Sequence, residues 1–221
     1  MSTSTLTGNT RTQSVHRAGT WCLGAGLAGV AQAVVLLTWP PQVREERFSY
    51  PFDGLGHAVA QSAFFLQHLP LIVGILALLR LPALRASRVA RTAIKTAALG
   101  LVLLAVNELI TISAHDAPAG SERALLVENL YGPPVVLIGL GFLIAGGALL
   151  RQGAAMWPGA PWMPAVVLAL GVYVFFPLTP AIMGSFTAGR LGIGGWMLLF
   201  AVVGYGLTRV CADAAPNHST P

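Results

Sequence analysis

Glu108 stands in "LVLLAVNELITIS", residues 101–113, a run with no other charge. A carboxylate at that depth in an apolar segment costs several kcal/mol on insertion scales unless it is neutral, paired, or turned toward protein or water. An ionisable group so placed is a functional hypothesis in itself, weighed against a plain role as hydrogen-bond partner of a neighbouring helix. Other polar side chains recur nearby at helical spacing. His57, Gln61, Phe64 and His68 fall at i, i+4, i+7 and i+11, one face of a helix. Asn107, Thr111 and His115 fall at i, i+4 and i+8, with Glu108 beside them. Gln32 lies at a similar depth in an earlier apolar run. Gln32, Gln61, Asn107, Glu108 and Thr111 make a shared pocket, with Asp53, His57, His115 and Asp116 at its mouth. The plainer alternative is polar glue between helices, worth about 0.6 kcal/mol per contact.

Other chemistries find less support. His57, His115 and Asp116, with Asp53 and Glu108, are weak candidates for a metal site, because no HExxH or HxxxH spacing accompanies them. His68 lies near the middle of its run without a partner histidine at its depth, so bis-histidine haem is not indicated. No phosphate-binding or dinucleotide fingerprint appears, and no cofactor is expected. The glycines at 24, 26, 29, 139, 141, 192, 194 and 195 read as helix-packing residues. Cys22 and Cys211 sit at the ends of apolar runs on the side expected to be reducing, so no disulfide is expected.

The elements that must position these residues follow from composition. The chain has 221 residues, 55% of them hydrophobic and only 10% charged, with mean hydropathy +0.70. Soluble domains carry about 25% charged residues. A polytopic membrane protein is the class that accommodates this balance. Apolar runs cover roughly 18–39, 56–79, 93–114, 130–150, 162–181 and 191–210. Each is about 20 residues long, the length of a membrane-spanning helix. The expected fold is therefore all-α, a six-transmembrane-helix bundle over 17–210. Residues 1–16 and 211–221 are expected to be disordered cytoplasmic tails. The first run is too long for the apolar region of a cleaved signal peptide.

With the N-terminus inside, Arg11, Arg17, Arg80, Arg85, Arg88, Arg91, Lys95, Arg151 and Arg209 lie on the inner side, against Arg44, Arg47, Arg123 and Arg190 outside. The positive-inside rule then favours an N-in, C-in orientation in the cell membrane. The basic cluster "RLPALRASRVARTAIK" has topology and contact with anionic headgroups as its expected roles. Its charge does not call for nucleic acid. "WPPQVREERFSYPFDG", residues 39–54, and "HDAPAGSERALLVEN", residues 115–129, are then outer loops, the first a lid over the pocket. Tyr173, Phe175, Phe176 and Phe186 lie near the same outer half, where Pro177 and Pro180 should kink or end the helix. Pro133 and Pro134 fall where proline is tolerated, at a helix start. Trp39, Tyr50 and Tyr131 read as interfacial belt residues.

"WPPQVREERFSYPF", with "GRLGIGGWMLLFAVVGYGL" near the end, resembles a recurring pattern in small actinobacterial integral membrane proteins of uncharacterised activity. More loosely, the size, the all-helical membrane build and the outer-half carboxylate are similar to membrane-bound terpene cyclases. That resemblance implies proton-initiated cyclisation of a lipophilic prenylated substrate by a buried acid. Glu108 would be the acid, oriented by Asn107 or Gln61, with His57 at the mouth. A dry pocket favours the protonated carboxyl and excludes water. Phe64, Phe65, Phe175 or Phe176 would stabilise a migrating cation. Gln32, His68, Thr111 and Tyr173 would complete the lining. The alternative is a small transporter, or a ligand-binding or accessory membrane protein without catalysis. The expected partners are a lipophilic small molecule and the lipid bilayer, with a homo-oligomer also open. Few polar groups other than His68 lie in the inner half, which favours a one-sided site over a transport path.

Overall fold

The computed structural model describes the backbone of residues 3–213 and the side chains of residues 12–210. Nine α-helices are present in this range: α1 (Thr3–Thr38), α2 (Gly54–Leu78), α3 (Pro82–Ala86), α4 (Arg88–Thr111), α5 (Glu122–Asn129), α6 (Gly132–Leu150), α7 (Met163–Tyr173), α8 (Thr179–Gly184) and α9 (Phe186–Asp213). Among the described residues there is no strand, only an isolated antiparallel bridge between Arg47 and Pro118. Six stretches are long and apolar enough to cross a membrane: Thr12–Thr38, Gly54–Leu78, Arg88–Ala114, Glu122–Leu150, Met163–Gly184 and Phe186–Val210. Each overlaps one of the six apolar runs, and the fold is the expected all-α six-helix bundle.

Element boundaries differ from the sequence reading in three places. Helix α1 begins at Thr3, so residues 3–16, read as a tail, continue it. A nucleated helix propagates cheaply into polar sequence, and Val15 and Ala18 anchor this extension in the core. Residues 1–2 and 214–221 of the expected tails lie outside the described residues, as does the Cys211 side chain. Residues 122–129, read as part of a loop, form α5, because the Ser121 hydroxyl caps it by accepting from the Ala124 N–H. The last helix starts at Phe186 rather than 191.

Proline explains the two internal breaks. Pro133 and Pro134 cannot donate to the carbonyls one turn back, and α5 and α6 part at Leu130–Tyr131. Pro177 sits in a π-helical turn, Val174–Leu178, where the Thr179 hydroxyl donates to the Val174 carbonyl at 2.7 Å. The expected kink is therefore a wide turn, and the chain continues as α8.

The helices form a ring. Neighbours in sequence pack on one another in the order α1, α2, α4, α6, α7, α9, and α9 closes on α1. Small residues allow the closure. A Cβ on Gly26 would lie 2.7 Å from the Met197 carbonyl oxygen and 2.8 Å from the Ala201 Cα. One on Gly204 would lie 2.7 Å from the Gly19 oxygen. The middle of the ring is filled. Phe142 of α6 meets Phe200 of α9 edge to face at 6.0 Å, and Trp196 stands on Phe200 at 4.9 Å. Outside, Leu27, Val34, Leu66, Val106 and Ile144 are exposed on the bundle wall, as a lipid-facing surface requires.

Gly204→Ala therefore tests the seam. The added methyl has no room against backbone atoms, and overpacking of this kind costs about 1–3 kcal/mol. Gly147→Ala, with nothing within 4 Å of its new Cβ, is expected to leave stability unchanged or raise it. Thermal unfolding in detergent should separate the two variants in that order.

Candidate functional site

Glu108 lies one turn from the end of α4 and is buried, 9% exposed. Its Oε2 accepts a hydrogen bond from the Tyr131 hydroxyl at 3.2 Å. Tyr131 occupies the break between α5 and α6, so the two prolines that interrupt the helix also set the phenol opposite the acid. The Thr111 hydroxyl donates to the Glu108 carbonyl at 2.6 Å, tightening the last turn of α4 before the 3-10 turn Ile112–Ala114. His57, buried in the first turn of α2, sets its Nε2 3.4 Å from the Thr111 carbonyl oxygen. This contact fixes the register of two antiparallel helices. At ~1.5 Å per residue, Gln61 and Asn107, each one turn further in, share one depth beside Glu108.

That depth carries unused hydrogen-bonding capacity. Both amide atoms of buried Asn107 and the Oε1 of Gln61 have no partner. Buried polar groups nearly always find partners in native proteins, so these atoms are open to a further partner. Deeper along α2, His68 uses one ring nitrogen on the Phe64 carbonyl, at 2.7 Å, and leaves Nε2 unpartnered. Gln67 binds α1 instead, donating to the Ala25 carbonyl at 2.9 Å.

Arg190 completes the cluster. It lies in the first turns of α9, partly buried, with its guanidinium 5.6 Å from the Phe64 ring and 4.8 Å from the Phe186 ring. Cation–π contacts of this kind hold a guanidinium over an aromatic face. Its charge acts on Glu108, Tyr131 and His57 together, without a contact ion pair to Glu108. Among the described residues the one contact ion pair is Arg123–Asp116, 3.1 Å long and about half exposed.

A lid covers this end. Residues 39–53 fold back on themselves through Gln42, whose N–H donates to the Pro51 carbonyl at 2.7 Å and whose side chain accepts from the Asp53 N–H at 3.1 Å. Asp53 then caps α2 by accepting from Gly56 at 2.7 Å. The lid is stitched to the next loop by backbone bonds, Phe48 to Ala117 at 3.0 Å and Ala119 to Glu46 at 2.6 Å. Phe48 lies edge-on to His57 at 5.9 Å, and Tyr50 edge-on to Phe186 at 5.8 Å. The lid thus rests on the same residues that surround the acid.

The remaining candidates divide. His57, Gln61, Phe64, Asn107, Glu108 and Thr111 gather at this end, whereas Gln32 is half-buried on α1. Phe65 is half-buried beside Phe64, whose own face is taken by Arg190. Tyr173 sets its hydroxyl against Gly195, and Phe175 lays its ring on Gly139, so both fill helix contacts. Phe176 is 74% exposed on the outer wall. His115 packs on Gly54, where a Cβ would lie 2.7 Å from its ring, and Asp116 is held by Arg123. Among the described residues no three His, Cys, Asp or Glu side chains converge to hold a metal ion. Tyr131 and Arg190 are the residues the sequence reading assigned elsewhere. The signal for Tyr131 was the Pro-Pro pair beside it; the signal for Arg190 was a helix that starts before the apolar run.

No protein-family model, no curated protein and no solved structure matches the chain.

Tyr131→Phe removes the donor to a buried carboxyl and is expected to cost about 1–3 kcal/mol. Asp116→Asn breaks only the exposed pair and is expected to cost no more than about 1 kcal/mol. The unfolding temperatures of the two variants, compared with wild type in the same detergent, check the difference.

Proposed function

We propose that the chain is a multi-pass protein of the cell membrane, both termini cytoplasmic, that binds a lipophilic small molecule beneath the lid and transfers a proton to it from Glu108. The reaction class is proton-initiated cyclisation of an isoprenoid, as in membrane-bound terpene cyclases. The observation that supports it most is the Glu108–Tyr131 pair, a carboxyl buried in an apolar run, with the unpartnered amide of Asn107 and the unpartnered Oε1 of Gln61 at the same depth. In this reading the Glu108 carboxyl gives its proton to an alkene carbon or epoxide oxygen. The resulting carbocation is attacked by the next double bond, forming the ring bond. Loss of a proton from the final cation restores the acid, so the product is an isomer of the substrate. Tyr131 positions the carboxyl, and the lid keeps out water that would quench the cation.

Arg190 narrows the geometry. A fixed guanidinium opposes a second positive charge beside it, and it covers the face of Phe64. The cation therefore develops on the side of Glu108 away from Arg190, and the polar end of the substrate lies on the Arg190 side. The same residue supports a second reading, a binding site without bond-making, because a partly buried cation suits an anionic group of a ligand. Transport is less well supported, since Phe142, Trp196 and Phe200 fill the middle of the ring.

Glu108→Gln decides between the first two. Lipophilic extracts of cells expressing wild type or variant are compared while membrane accumulation is followed. Loss of a prenyl-derived product by about 100-fold or more, with protein retained, is the expected result for a general acid. A product pattern indifferent to the variant overturns catalysis and leaves the binding reading. Arg190→Gln should then weaken binding of an anionic lipid added to the purified protein.

A further inference from the structure

At the end of the bundle opposite the lid, α1, α2 and the turn after α2 line an open cavity of about 660 Å³. One turn deeper, Gly74 packs on Cys22, where a Cβ would lie 2.5 Å from the Cys22 Cβ, so the helices are in contact there. The cavity floor is made by two small buried residues, Ala18 and Ala77. Its walls are graded. Toward the helix ends stand Arg17 and Arg80, and Arg80 is oriented by donating to the Ser14 hydroxyl at 2.9 Å. Toward the middle of the bundle stand Trp21, Val73 and Leu76, all exposed on the outer wall. Among the described residues no acidic side chain lines it. Beyond Trp21 the same face of α1 continues with exposed Gly24 and Ala28, which leave a shallow apolar track.

The gradient matches an amphiphile inserted in a bilayer. Arg80 lies just past the end of α2, Arg17 lines the same cavity from α1, and exposed apolar side chains begin about one turn further in. Two guanidinia suit a phosphodiester, which they can bind through paired N–H donors. Tryptophan at headgroup depth is favoured by its amphipathic ring. We propose that this cavity is a binding site for one anionic phospholipid, with its phosphate between Arg17 and Arg80 and an acyl chain running past Trp21 along the α1–α2 groove. The site is separate from Glu108 and does not rest on the acid's chemistry. It also goes beyond the diffuse attraction of the basic cluster after α2, because it assigns two cations and excludes their neighbours.

The test uses the full chain purified in neutral detergent and titrated with phosphatidylglycerol, phosphatidylcholine or glycerol phosphate, with binding read by native mass spectrometry. Wild type is expected to prefer phosphatidylglycerol over phosphatidylcholine. The double variant Arg17→Gln/Arg80→Gln should lose affinity for it by about 30-fold, the effect of two cations at a membrane surface. Arg85→Gln/Arg88→Gln removes the same charge outside the cavity and should stay close to wild type. Val73→Trp keeps both arginines, fills the apolar wall from the exposed side, and should weaken binding on its own. Equal losses in the two double variants overturn the site in favour of diffuse charge. Equal binding of phosphatidylcholine overturns the headgroup assignment, and competition by glycerol phosphate at lipid concentrations overturns the acyl chain. If the Arg17/Arg80 variant does not fold, the Val73→Trp result alone upholds or overturns the groove.

Discussion

Helices α1 and α9 meet backbone to backbone, and the lid end depends on that contact. Gly26 and Gly204 remove the side chains that would hold the two helices apart. In hydrocarbon no hydrophobic effect draws helices together, so close packing of small residues has to supply the association. Closing α9 on α1 brings the start of α9 beside the top of α2. Arg190 then reaches Phe64, and Phe186 reaches Tyr50 of the lid. Without the seam, the cation at the candidate site would have no fixed relation to the acid.

The site itself is a balance of costs. A buried carboxyl, a partly buried guanidinium and a buried imidazole are each unfavourable in a low-dielectric interior. Each is held by a neighbour: Glu108 by Tyr131, Arg190 by two aromatic faces, His57 by a carbonyl of α4. None of these contacts is a contact ion pair. The groups are therefore close enough to feel one another and remain free to engage a third party. Asn107 and Gln61 add hydrogen-bonding atoms that the protein does not use.

Much of this was legible in the sequence because bilayer thickness imposes a length. The six runs, the intramembrane Glu108 and the polar faces of α2 and α4 follow from counting and helical periodicity. Boundaries did not follow as well. Helix α9 starts before its apolar run, which moved Arg190 from an expected loop into the bundle. Tyr131 was read as a belt residue because tyrosine is common at interfaces; only the chain break at Pro133 and Pro134 turns it inward. The aromatics of the fifth span could not be placed from spacing, since a helix hydrophobic on all sides does not reveal which face meets protein. Phe176 meets the outside, and Phe175 meets Gly139.

The aromatic filling of the ring divides the molecule lengthwise. Phe142, Trp196 and Phe200 separate the two ends of the molecule with side chains that carry no exchangeable proton except one indole N–H. Glu108 and the residues around it lie on the lid side of this filling. An aromatic plug thus stands between the acid at one end of the bundle and the paired arginines, Arg17 and Arg80, at the other.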